Sequence, residues 1–223
     1  MRRFDNRYRW RVILLVSLLV AMFPALARTQ SSPEAIGTPR ATPAAAGAPR
    51  YPDLVAQPPD DLYFSTELLA DGREHNLLRF STTTVNAGEG PLELTGDADA
   101  ESGEMVTQLV YDDVAGGNVV ATWPLAIDLI LHPEHHHFHL DHFAAYELLR
   151  DENGTLVPSG TGGKQSSCVL DSERVDDSGP DRKQYADCEL DRQGLSVGWG
   201  DTYSASLPDQ WIDLGAGFLA DGA

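Results

Sequence analysis

Residues 132 to 142 read HPEHHHFHLDH and hold six of the seven histidines in the chain. Neutral imidazole is a ligand for transition metals, so the spacing of these rings decides what they can do. If residues 135 to 139 are extended, alternation puts His135, His137 and His139 on one face and His136 and Phe138 on the other. Same-face side chains lie about 7 Å apart along a strand, and imidazoles can converge from there on one ion with bonds of about 2.0 Å. A flat strand delivers two such ligands, and the third needs a twist or a bulge. His132 and His142 stand outside the alternating set as outer-shell candidates. An all-imidazole site suits Cu, Zn, Ni or Fe, with affinity peaking at Cu(II). The competing reading is a solvated, histidine-rich strand with fortuitous metal affinity.

The elements that must position these rings are strands. No helical period appears after residue 50. Short β-type runs occur at LLRFSTTTVN (77–86), PLEL (91–94), MVTQLVY (105–111), AIDLIL (126–131) and FAAYELL (143–149), separated by Gly, Pro, Asn and Asp turns. Asn153-Gly154 has the composition of a tight hairpin turn. The pattern predicts an all-β fold, an antiparallel β-sandwich with long loops.

The N-terminus follows different rules. MRRFDNRYRWR is basic, VILLVSLLVAMF (12–23) is uncharged and Ala25-Leu26-Ala27 is a small-x-small cleavage pattern. Together they describe a secretory signal peptide over residues 1–27. The apolar run is too short for the ~20 residues that span a bilayer, so no membrane span is expected in the mature chain. Residues 28–50 are rich in Ala, Pro, Thr, Ser and Gly and read as a disordered linker. The folded domain is expected over 51–223, and the product is expected to be secreted or held at the cell surface.

The formal net charge is -18, and loss of the arginine-rich leader takes it to about -22. Such a surface disfavours nucleic acid and attracts cations, within a screening range of about 8 Å at physiological salt. The two cysteines, Cys168 and Cys188, in an exported chain point to one disulfide. Closing that loop stabilises a fold by ~3 kcal/mol in the chain-entropy picture.

The order of motifs resembles the catalytic domain of the lysyl oxidase family, in its bacterial form. The resemblance is carried by LLRFSTTTVNAGEGPLEL (77–94), VTQLVY (106–111), HPEHHHFHLDHFAAYELL (132–149), GGKQSSCVLD (162–171) and QGLSVGWGDTYSASLPDQWIDL (193–214). It implies that His135, His137 and His139 bind copper, Cu(II). It implies that Lys164 and Tyr203 are the precursors of a protein-derived quinone, lysine tyrosylquinone, and that a cationic primary amine, free or on a protein lysine, is oxidised to an aldehyde. The motifs leave the catalytic base open among Asp141, His142 and Asp201, which flank the expected metal and quinone residues. After QWIDL the family continues with further strand-forming sequence, whereas this chain ends in GAGFLADGA, so the domain is expected to be incomplete at its C-terminal end. The alternative is a non-catalytic exported module, a β-sandwich that binds copper or zinc or serves at the cell surface.

Overall fold

The computed structural model describes residues 47–96, 105–132, 137–162, 166–188 and 192–215. The expected signal peptide, most of the expected linker, His135, His136, Lys164 and the terminal residues 216–223 lie outside the described residues. Residues 47–50, the end of the expected linker, are docked on the domain. The Arg50 N–H donates to the Tyr111 carbonyl at 2.8 Å, and the Gly47 N–H donates to Asp112 Oδ2 at 3.2 Å.

The architecture among the described residues is all-β, with antiparallel pairing throughout. In chain order the strands are β1 (Leu54–Ala56), β2 (Asp60–Leu68), β3 (Glu74–Asn86), β4 (Leu92–Thr95), β5 (Met105–Asp113), β6 (Gly116–His132), β7 (His137–Leu140), β8 (Glu147–Glu152), β9 (Thr155–Gly162), β10 (Glu173–Arg174), β11 (Gln193–Leu195), β12 (Trp199–Tyr203) and β13 (Trp211–Asp213). One sheet runs β10-β12-β3-β13-β9-β8, with β1 and β2 also paired to β3; the other runs β11-β4-β5-β6-β7. No described helix is long and apolar enough to cross a membrane.

β3 organises the larger sheet. Its run of β-branched and aromatic residues, Phe80 with Thr82, Thr83, Thr84 and Val85, favours extended backbone. Leu77 to Arg79 pair with both β2 and β13, and Thr84 and Val85 pair with both β1 and β12, so both of its edges are occupied. The core lies between the sheets. Leu78, Phe80, Leu148, Trp199 and Ile212 from the larger sheet pack in one cluster with Leu92, Leu94, Val106, Leu129, Leu140 and Leu195 from the smaller. Burial at ~25 cal/mol per Å² of apolar surface makes this cluster the main stabilising term.

Two boundaries differ from the sequence reading. FAAYELL is not a strand throughout. His142 has φ 53°, β8 begins only at Glu147, and Phe143, Ala144 and Tyr146 are buried without belonging to a strand. Burial, not pairing, gives this run its apolar character. β6 starts at Gly116, ten residues before AIDLIL. Pro124, which has no N–H to donate, is accommodated because the register with β5 shifts between Thr107↔Pro124 and Met105↔Asp128. Asn153-Gly154 forms the β8–β9 turn as expected, with φ 56° and 90°.

A buried carboxylate ties the long loops to the sandwich. Asp171 is fully buried. Its Oδ1 accepts from the Ser196 N–H at 2.8 Å, and its Oδ2 accepts from the Gln184 N–H, the Tyr185 N–H and the Ser196 hydroxyl at 2.8, 3.2 and 2.8 Å. Asp171→Asn must turn an NH2 group toward a donor in either amide orientation. With hydrogen bonds to charged groups contributing ~1.5–3 kcal/mol each, we expect it to destabilise the fold by at least about 3 kcal/mol. The check is a lower urea midpoint at unchanged m-value; an unchanged midpoint would show that the carboxylate is dispensable.

His75 links the β2–β3 hairpin to β13. Its ring nitrogens lie 3.0 Å from Asp71 Oδ2 and 2.8 Å from Asp213 Oδ2. Asp71 first, then Asp213, hold the imidazole pKa above its ordinary value. The stability this confers is therefore fully present below the unfolded value of about 6.5 and is lost as pH rises through the higher folded value. Urea titrations of wild type and His75→Ala should differ most at mildly acidic pH and converge at alkaline pH. A constant difference would remove the imidazolium from the account.

Candidate active site

β7 forms a hairpin with the end of β6, in the register Leu129↔Leu140, Ile130↔His139, Leu131↔Phe138 and His132↔His137. Alternation along β7 puts His137 and His139 on one face, as the sequence implied. Their Nε2 atoms lie 2.9 Å apart, and the ring centroids are 4.9 Å apart with a 33° tilt. His139 is only 4% exposed. Two nitrogens each about 2.0 Å from one ion, at a right angle, are about 2.8 Å apart, so this pair fits two adjacent positions of a square-planar or tetragonal copper(II) centre. The third expected ligand, His135, lies outside the described residues. Among the described residues, no three His, Cys, Asp or Glu side chains gather into a metal-binding group.

A strap formed by Ser166, Ser167 and Cys168 runs beside β7. Ser166 Oγ lies 3.2 Å from His139 Nδ1. Ser167 pairs with Leu140 as an isolated antiparallel bridge, with N–H to carbonyl distances of 2.7 and 3.0 Å. Cys168 is disulfide-bonded to Cys188 across a Cα separation of 5.5 Å, and the Cys188 carbonyl accepts from the Phe138 N–H at 3.3 Å. The disulfide expected from the cysteine count is thus present, with both halves beside the histidine strand.

The strap also reaches β12, in the other sheet. The Tyr203 hydroxyl donates to the Cys168 carbonyl at 2.6 Å. Burial, then the nearby Asp201 carboxylate, push the Tyr203 phenol well above its ordinary pKa, against opposing hydrogen bonds from Ser167 and the Cys168 backbone. Asp201 and Tyr203 sit two residues apart on β12 and share a face with their β3 partners Thr84 and Thr82. Asp201 is 3% exposed, and Ser172 Oγ approaches its Oδ1 at 3.4 Å.

The polar layer continues behind Tyr203. Thr82 Oγ1 lies 3.0 Å from the Tyr146 hydroxyl and accepts from Gln210 Nε2 at 3.2 Å. Burial raises the Tyr146 pKa as well. Gln210 is fully buried, and its Oε1 has no hydrogen-bond partner among the described residues. The loop after Tyr203 is clamped by Arg79, which donates Nε and Nη2 to the two Glu67 oxygens at 2.6 Å and Nη1 to the Ala205 and Leu207 carbonyls at 3.2 and 3.0 Å.

Of the candidate bases, Asp201 lies in this buried layer. Asp141 and His142 occupy the turn after β7 and pair with each other, His142 Nδ1 to Asp141 Oδ2 at 2.6 Å, with the His142 side chain 71% exposed. Ser166, Ser167, Thr82, Tyr146 and Gln210 received no role from the sequence. Their signal was present, since each lies inside a segment that carries the family resemblance. Nothing in the residue types marked them as site neighbours, because their positions depend on cross-sheet packing.

Residues 120–217 match the family model for lysyl oxidase. The chain is 40% identical over 86 residues to lysyl oxidase homolog 2 of Xenopus tropicalis, which covers 38% of this chain and 10% of that protein. It is 43% identical over 84 residues to human lysyl oxidase homolog 1, covering 37% of this chain and 14% of the relative. It is 36% identical over 86 residues to human lysyl oxidase homolog 3, covering 38% and 11%. The chain thus spans only a small fraction of the length of these relatives. The matched segment contains β7, the strap, β12 and β13, the elements that build the polar site. Residues 120–217 of this chain carry a lysyl oxidase family domain.

Proposed function

We propose that the chain is an exported copper-dependent oxidase of primary amines, of the protein-lysine type. A primary amine, dioxygen and water give an aldehyde, ammonia and hydrogen peroxide. The observation that carries this reading is that one short strap touches both His139 and Tyr203, and that Lys164 precedes that strap by two residues. One expected metal ligand, His139, and one expected cofactor precursor, Tyr203, therefore meet the same strap, which supports the reading.

In this reading His137 and His139, with His135, hold copper, and Lys164 and Tyr203 are the precursors of lysine tyrosylquinone. When present, copper with dioxygen supplies the oxidation of the tyrosine ring, and the quinone supplies the carbonyl and electron sink for the amine. The chain contributes positioning and proton handling. The Cys168 carbonyl orients the Tyr203 phenol, and burial keeps that phenol protonated at neutral pH. Asp201, buried on the same face, is the base best placed to take the proton from the substrate α-carbon; Asp141, paired in a turn with the exposed His142, is less suited. Leu140 and Val169, almost wholly buried in the core, keep the strap's surroundings dry from the core side. The net charge of -18 favours a cationic amine, free or on a protein lysine.

The second reading, an exported copper- or zinc-binding β-sandwich without turnover, draws on the fact that His137 and His139 converge without help from Lys164 or Tyr203. Mass spectrometry separates the two. Copper-loaded, aerobically matured protein should contain a Lys164–Tyr203 cross-linked peptide and show quinone absorbance, both absent from Lys164→Ala and Tyr203→Phe. Asp201→Asn should keep the cross-link while losing about 10²- to 10⁴-fold in kcat, the usual contribution of a positioned base. Stoichiometric metal with an unmodified Lys164 peptide would select the binding module. Wild-type peroxide production by either precursor mutant would sink the cofactor assignment.

A further inference from the structure

Ser166 is the residue of the strap whose side chain meets a histidine of β7. Its Oγ lies 3.2 Å from His139 Nδ1, while the opposite ring nitrogen, Nε2, lies 2.9 Å from His137 Nε2. A neutral imidazole carries one proton. For Nε2 to offer its lone pair to an ion, that proton must sit on Nδ1, and a buried Nδ1–H needs an acceptor. His139 is 4% exposed, so water is a poor substitute. Ser166 Oγ occupies the acceptor's place. The strap is not free to drift from it, because the next residue, Ser167, is bridged to Leu140 through two backbone hydrogen bonds.

We propose that Ser166 is a positioning residue that accepts the Nδ1–H of His139 and thereby commits Nε2 to a divalent transition metal. The proposal rests on the reading of His137 and His139 as metal ligands. Its consequence reaches further than affinity. Ser166 stands two residues after Lys164 and two before Cys168, whose carbonyl holds Tyr203. The same hydrogen bond that orients the ligand therefore ties it to the segment that follows Lys164 in sequence and holds Tyr203. A hydroxyl suits this position because it accepts from Nδ1–H when metal is bound and donates to a bare Nδ1 when the proton moves to Nε2.

The test uses the full mature chain, with Cu(II) and Zn(II) as probes in chelator competition. Ser166→Ala should lose about 10- to 100-fold in affinity for both ions, the usual loss when a ligand's hydrogen-bond partner is removed. Ser166→Thr, which keeps the hydroxyl, should restore near wild-type affinity. A spectroscopic readout separates this from general loosening. In the Zn(II)-loaded wild type, the His139 Nδ1 proton should appear as a slowly exchanging resonance, retained in the Thr variant and lost in the Ala variant. Equal affinity in wild type and Ser166→Ala overturns the role of Ser166 while leaving the metal site standing. Absence of metal binding by wild type overturns both. If Ser166→Ala does not fold, the wild-type proton decides alone: a rapidly exchanging Nδ1–H would overturn the proposal.

Discussion

An antiparallel bridge between Leu140 and Ser167 joins the histidine strand to the strap that reaches Tyr203. Leu140 ends the histidine strand of the smaller sheet, and Ser167 lies in the strap that reaches the larger sheet through Cys168 and Tyr203. Both bridge residues are 2% exposed. Breaking the pair would leave two N–H and two carbonyl groups without partners in a dry interior, at about 1–3 kcal/mol for each unsatisfied group. That cost gives the strap one register. A slip of one residue would turn the Ser166 side chain away from His139 and move the Cys168 carbonyl from the Tyr203 hydroxyl.

The disulfide acts on the same junction from the other side. Cys168 is held by Tyr203, and the Cys188 carbonyl receives the Phe138 N–H, one residue from each of His137 and His139. Gln193 completes the frame: its Oε1 accepts from the Val169 N–H at 3.2 Å, and its Nε2 donates to the Phe138 carbonyl at 2.9 Å. Backbone groups of the central residue of the H-F-H run are thus fixed by a loop and a buried amide. The ring spacing on its two sides follows from this frame as well as from the β6–β7 hairpin.

The all-β class was legible because its signal is local. Thr- and Val-rich runs, and turns such as Asn153-Gly154, declare strands and hairpins wherever they occur. Alternation in H-x-H likewise assigned His137 and His139 to one face before any packing was known. The failures have a common cause. Tyr146 looked like part of a strand because it sits in an apolar run, yet it is buried beside Thr82 from a distant strand. Pro124 disguised the middle of β6, because a proline is acceptable in a paired strand only at an edge or irregularity, and the register against β5 shifts there. Gln210 and Ser166 are ordinary polar residues in sequence. Their importance comes from partners 128 and 27 positions away. The single disulfide was readable from the count of cysteines, but its place beside the histidines was not.

Dividing the site between two sheets has an energetic consequence. The paired histidines His137 and His139 belong to the smaller sheet and Asp201 and Tyr203 to the larger, so their relative position is set by the core between the sheets. That core contains Phe80, whose ring meets Tyr146 edge-on at a centroid distance of 5.1 Å. Protein interiors are close-packed, and a cavity left by a large-to-small substitution is only partly relaxed. A change at Phe80 is therefore felt at Tyr146 and, through Thr82, beside Tyr203, without touching a functional group. An unsatisfied carbonyl at Gln210 in this layer is costly to keep, and a packed apolar residue would be cheaper. The fold tolerates that cost in the polar layer beside Tyr203, whose single hydroxyl is held by the Cys168 carbonyl.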